Sequence, residues 1–216
     1  MRVTEALRAY LSVKKVYILF FITVFSIFIV YANQKYIVIP QLYKQSINET
    51  LKVEIINYLF KYGWASYFFS FLIILSRVFF VSICLYIGGI LFDNFGKQQY
   101  SSCFNIALKA DIFLVCSSLI FILFVIIMGY DDALNFSQKT SLLGFFNIET
   151  VESWLLVPLG IFNIFEIVYC FFLAAFLSVS ANKTYKESMN FVIATYGTGL
   201  LLYILVIIFV VLYVSQ

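Results

Sequence analysis

Five stretches of this chain, 16–32, 67–92, 112–129, 155–177 and 191–213, are apolar almost without interruption. A hydrocarbon core about 30 Å thick is crossed by roughly 20 apolar residues of helix, at about 1.5 Å of rise per residue. Each run meets that length, the longer ones with tilt. The runs are continuous, whereas a membrane barrel would alternate apolar and polar residues over about ten. The expected fold class is therefore all-α: a polytopic membrane bundle of about five helices, read as one domain over 16–216 preceded by an interfacial segment, 1–15. Composition agrees: 63% of the residues are hydrophobic and 12% charged, against about 45–50% and 25% in soluble domains.

Lysine and arginine set the orientation. With the N-terminus inside, Arg2, Arg8, Lys14, Lys15, Lys97, Lys109, Lys183 and Lys186 face the cytoplasm, and Lys35, Lys44, Lys52, Lys61 and Lys139 face out. The acidic loop holding Asp131, Asp132, Glu149 and Glu152 also falls outside, as do Trp64 and Trp154 at the outer interface. The C-terminus is then outside. The first run follows a basic segment and ends in Val30-Tyr31-Ala32, so it reads either as an uncleaved anchor or as a secretory signal; its length favours the anchor.

Two pieces outside the runs carry helical patterns. Residues 1–15 place Val3, Leu7, Tyr10 and Leu11 on one face, as an interfacial helix does. In the 33–66 loop, Ser46-Ile47-Asn48-Glu49 is a capping-box pattern. It is followed by Leu51, Ile55, Tyr58, Leu59 and Phe60, which fits either an amphipathic surface helix or a solvated loop.

Arg77 and Glu166 are the ionisable residues deep inside runs, at nearly equal distances into spans that enter from the same face. A lone charge there costs at least about 2.5–3.5 kcal/mol, so the two are expected to pair near the midplane. Asn163, one turn before Glu166, would join the network. Such a pair serves either as a clamp between helices or as a relay or solute site. Asp111 reads as an interfacial residue at the start of the third span. Small residues spaced for close helix approach occur at Cys84-x3-Gly88 with Gly89 beside it, at Ala174-x3-Ser178 and at Thr195-x3-Gly199. Gly197 and Gly199 would also loosen the fifth helix.

There is no histidine, which removes Ser-His-Asp and Cys-His catalysis and the zinc motifs. Cys84, Cys103, Cys116 and Cys170 show no CxxC spacing and read as packing residues. No phosphate-binding glycine loop, nucleophile elbow or pair of intramembrane aspartates is present. The chain is read as non-enzymatic, without metal or cofactor, and without a basic footprint for nucleic acid. Its expected partners are the lipid bilayer and other membrane proteins or a second copy of itself.

The layout from Tyr67 to Tyr213 resembles the bacterial branch of the Yip family of small membrane proteins. The residues that carry the resemblance are Gly88-Gly89 ending the second span, the turn Phe95-Gly96-Lys97 and the re-entry near Asp111. Pro158, Asn163 and Glu166 in the fourth span and Tyr196-Gly197 in the fifth complete it. The Asp-Leu-Tyr-Gly-Pro sequence of eukaryotic members is absent. The resemblance implies an interaction or scaffold subunit, or a role in membrane organisation, in a bacterial inner membrane. The runner-up is a transporter or permease component built on Arg77, Asn163 and Glu166.

Overall fold

A computed structural model describes residues 2–44, 49–92, 99–147 and 150–214. Helix α1 (Arg2–Ser12) is followed by an extended Lys14 and by α2 (Lys15–Asn33), which runs through a π-helical turn (Gln34–Val38) into α3 (Ile39–Lys44). Next come α4 (Glu49–Leu91), α5 (Tyr100–Met128), α6 (Tyr130–Lys139), a short 3-10 turn (Leu142–Phe145), α7 (Ser153–Ile161) and α8 (Ile164–Ala181). The last span joins α9 (Tyr185–Val192), a second π turn (Ile193–Gly197) and α10 (Thr198–Val214). Among the described residues five helices are long and apolar enough to cross a membrane: Lys15–Lys44, Glu49–Leu91, Tyr100–Met128, Ile164–Ala181 and Tyr185–Tyr213. The protein is a membrane-spanning all-α bundle.

Several boundaries depart from the sequence reading. The 49–66 half of the first long loop is no separate surface helix but the start of α4, a single helix of 43 residues. At about 1.5 Å per residue it is roughly twice as long as a membrane crossing requires. Its apolar side chains Leu51, Tyr58 and Phe60 remain exposed. The Ser46–Asn48 part of the capping-box pattern and the Phe95-Gly96-Lys97 turn lie outside the described residues. The third span begins at Tyr100, about three turns before the apolar run at 112–129.

The fourth span is broken. Pro158 lies inside α7, which ends at Ile161; Phe162 leaves the helical conformation (φ −74°, ψ 86°) and Asn163 is extended before α8 starts. A break inside apolar surroundings strands backbone groups, and these must find partners within the protein. The 140–142 segment supplies them: the Leu142 N–H donates to Phe162 O at 2.9 Å and the Ile164 N–H to Thr140 O at 3.0 Å. Ser141 and Asn163 form an antiparallel bridge there.

Helix α5 is the hub, packed by α4, α8 and α2. Its residues from Ile106 to Asp111 are all buried, so over more than a turn every face of the helix is covered. Ala107 and Ala110 let the neighbours approach. Helix α1 lies on α8 and α5, with Leu7, Tyr10 and Leu11 against the core. The Tyr10 hydroxyl donates to Lys109 O at 3.1 Å, and burial pushes that phenol up to about 12, so it keeps its proton. Lys109, itself buried, donates Nζ to Leu11 O and so satisfies a carbonyl in the last turn of α1.

At the other end of α8, Asn182 takes the left-handed conformation (φ 51°) that closes a helix C-terminus. Thr184 and Glu187 form a reciprocal capping box opening α9. In the last span the buried residues recur in pairs: Phe191 and Val192, Thr195 and Tyr196, Gly199 and Leu200. A strict four-residue repeat drifts by about 40° per step around an α-helix of 3.6 residues per turn. The π turn at Ile193–Gly197 widens the helix there and keeps these pairs on the packed side.

Candidate functional site

Arg77 enters the bundle from α4 and meets α5, not α8. Its Nε donates to Asp111 Oδ1 at 2.7 Å. The expected Arg77–Glu166 pair is therefore corrected: α5 lies between, and its Asp111 provides the nearer carboxylate. Asp111 is likewise no interfacial residue; its side chain is 0% exposed and well inside α5, whereas the Arg77 side chain is 37% exposed. Glu166 has a different partner, since Tyr196 donates its hydroxyl to Glu166 Oε1 across the α8–α9 hairpin. Asn163 does not share a helical face with Glu166. It caps α8, its Oδ1 accepting from the Glu166 N–H at 3.0 Å.

The two halves remain one electrostatic unit, because Arg77, Asp111, Glu166 and Tyr169 all interact. Tyr169, fully buried, meets Tyr196 edge-on with ring centroids 5.6 Å apart. Asp111 Oδ2 and the Tyr169 hydroxyl are both buried without a hydrogen-bond partner. Groups of this kind are few in a packed protein and mark sites with a further role. One guanidinium faces two carboxylates, so the cluster is electrically balanced when it holds one proton.

The Arg77 ion pair uses Nε, which leaves the terminal nitrogens for a groove between α2, α4 and α5 of about 440 Å³. Ser26, Ser66, Ser70 and Ser118 line it together with Arg77. A second groove of about 280 Å³ shares Ile29 and Ser118 with the first. It is lined in addition by Asn33, Ser117, Ser137 and Asn163, so it reaches α6 and the helix break. Hydroxyl and amide groups thus mark a path from the α6 end of the bundle to Arg77.

The small residues divide by role. Gly88 and Gly199 form the seam between α4 and the last span. A Cβ on Gly88 would stand 2.0 Å from Thr195 Cγ2, and one on Gly199 would stand 2.5 Å from Cys84 Sγ. The Cys84-x3-Gly88 and Thr195-x3-Gly199 motifs are therefore the two sides of one contact, with Gly89 buried beside it. Gly197 takes no part, since its nearest neighbour would be 3.9 Å from an added Cβ. Ala174 is buried in the core, while Ser178 turns its hydroxyl back to Ala175 O of its own helix at 2.8 Å. Among the described residues no cluster of side chains suited to a metal forms.

Sequence reasoning missed Asp111, Tyr169 and Tyr196 as site residues. Tyr169 carried one signal, its place one turn after Glu166 on a helical face. Tyr196 carried none beyond a hydroxyl within an apolar run. Comparison of the chain with family models, characterised proteins and solved structures returns no match.

Proposed function

We propose that this protein is a membrane carrier, or the membrane subunit of one, for a small anionic solute, and that a proton travels with the solute. The observation that supports this most is the groove, walled by apolar side chains and four serines, that ends on a guanidinium whose partner, Asp111, is sealed on the far side. Serine hydroxyls replace the hydration of a small anion, and Arg77 supplies the charge. A solute at the Arg77 terminal nitrogens adds a negative charge beside the Nε–Asp111 pair. A proton taken up by Asp111 or Glu166 offsets that charge. The interrupted α7–α8 span beside the groove supports the same reading, because non-helical backbone at membrane depth is tolerated where it is packed in protein or lines a cavity.

The reading is non-enzymatic. A scaffold role of Yip type gives no use to a polar groove that ends on a buried ion pair, and it ranks second. The lysine distribution supports an N-terminus in the cytoplasm and a C-terminus outside; the bacterial inner membrane rests on the Yip-like resemblance alone. The groove would then open from the outer face.

The test is transport by the full chain in liposomes. A panel of short carboxylates, phosphate and nitrate is applied while current and internal pH are recorded. At least one anion is expected to drive inward proton movement in the wild type and not in Arg77→Gln. If every panel member gives the response of empty liposomes, the carrier reading is wrong.

A further inference from the structure

A separate polar pocket of about 320 Å³ lies at the opposite end of the bundle, where α1 crosses α5 and α8. Arg8, Ser12, Ser102, Asn105 and Ser180 contribute its polar groups, and among the described residues no carboxylate lines it. Two further cations stand next to it. Lys15 Nζ donates to Ser101 Oγ at 2.7 Å, adjacent to Ser102, and Lys109 Nζ donates to the Leu11 carbonyl. The field in the pocket is therefore positive and suits an anion. Asn105 adds a second requirement: its Nδ2 donates weakly to Leu11 O at 3.5 Å, while its Oδ1 is buried without any donor. A ligand that satisfies both features carries a negative charge and an O–H.

Farther from the α1 end, the same three helices and α2 bound a wholly apolar groove of about 560 Å³. Leu7, Tyr17, Phe21, Ile112, Phe113 and Phe172 form much of its wall. From Asn105 to Ile112 along α5 is about 10 Å, so the apolar groove begins roughly two turns below the polar pocket. The order from charged head to apolar chain follows the direction of a lipid in a leaflet.

We propose that α1, α5 and α8 form a binding site for one anionic phospholipid with a hydroxyl-bearing head, of the phosphatidylglycerol class. Arg8 takes the phosphodiester, Asn105 Oδ1 accepts from a glycerol hydroxyl, and an acyl chain lies against Phe113 and Phe172. Bound there, the lipid ties α1 to the bundle beside the Arg8–Asn182 hydrogen bond of 3.2 Å.

The experiment uses the delipidated full chain in detergent. Thermal unfolding is followed with dioleoyl phosphatidylglycerol, dioleoyl phosphatidylcholine, dihexanoyl phosphatidylglycerol or inorganic phosphate added. Dioleoyl phosphatidylglycerol is expected to raise the midpoint most, as a ligand of the folded state alone does, with the short-chain lipid weaker and phosphate inert. Arg8→Gln should lower the apparent affinity for phosphatidylglycerol about tenfold, the loss of one charge-assisted hydrogen bond. Ser180→Asp, which brings a carboxylate to the pocket without touching α1, should do the same. Equal stabilisation by phosphatidylcholine, or wild-type affinity in both variants, overturns the proposal. Stabilisation by phosphate alone overturns the lipid and leaves an anion site, and equal binding of the short-chain lipid removes the acyl groove.

Discussion

Replacing Arg77 by methionine should destabilise the protein far more than removing a half-exposed surface cation would. The substitution leaves Asp111 0% exposed with neither oxygen hydrogen-bonded. Breaking a buried ion pair from one side costs about 3–5 kcal/mol, because the remaining charge has lost its compensation. The converse change, Asp111→Leu, strands a guanidinium that is 37% exposed and faces a polar groove. In the proposed carrier water in the groove screens the loss, and about half of that cost is expected. The double variant removes both charges and should return to within about 1 kcal/mol of the wild type. For a chain of this size 1 kcal/mol corresponds to about 2–4 °C, so Arg77→Met alone should lower the midpoint by about 10 °C. The assay is thermal unfolding in detergent followed by a thiol-reactive dye, which the free cysteines permit, Cys103 being fully buried. Additive losses in the double variant would refute the reasoning, since independent sites add and coupled ones do not.

Four further outcomes are expected from the packing and the hydrogen bonds. Gly88→Leu should prevent assembly of the bundle and Gly199→Ala should lower the midpoint, whereas Gly197→Ala should be neutral; detergent stability of the three variants checks this. Gly199→Ala should be partly rescued by Cys84→Ala, because the atom met at 2.5 Å is Cys84 Sγ and the Cys84 Cβ stands at 3.7 Å, while Phe80 Cζ at 3.3 Å keeps the rest of the crowding. Tyr196→Phe should cost about 1–3 kcal/mol by leaving Glu166 without its donor, and Asn163→Ala about 1 kcal/mol by uncapping α8, both read from the same melts.

The spans were legible because a helix that faces lipid has to be apolar along its length, and nothing else in the chain imitates that. The partner of Arg77 was not legible. Hydropathy places the edge of a span at the first charge, so Lys109 and Asp111 read as the boundary of the third helix. In the fold both charges find a partner inside the protein, Lys109 in the Leu11 carbonyl and Asp111, through one oxygen, in Arg77, and the helix runs straight through them. The break at Phe162 and Asn163 was hidden for a related reason. Phe162 continues the apolar run, and the hydrogen bonds that make the break tolerable come from Thr140 and Leu142, remote in sequence. The small-residue motifs announced close contacts but not their partners, because the meeting of Cys84 and Gly88 with Gly199 and Thr195 depends on the antiparallel path of α4 and the last span.

The proposed carrier needs a hydrated path from the α6 end of the bundle to Arg77, and cysteine accessibility tests it most directly. In a background with the native cysteines replaced, single cysteines are placed at Ser66, Ser70 and Ser118 in the groove. A fourth is placed at Ser82, which is buried on α4 beyond Arg77. Oriented vesicles are then treated with a membrane-impermeant thiol reagent from each side. The groove positions are expected to react from the α6 side alone and position 82 from neither. Protection of all three groove positions, or equal labelling from both sides, would contradict the account.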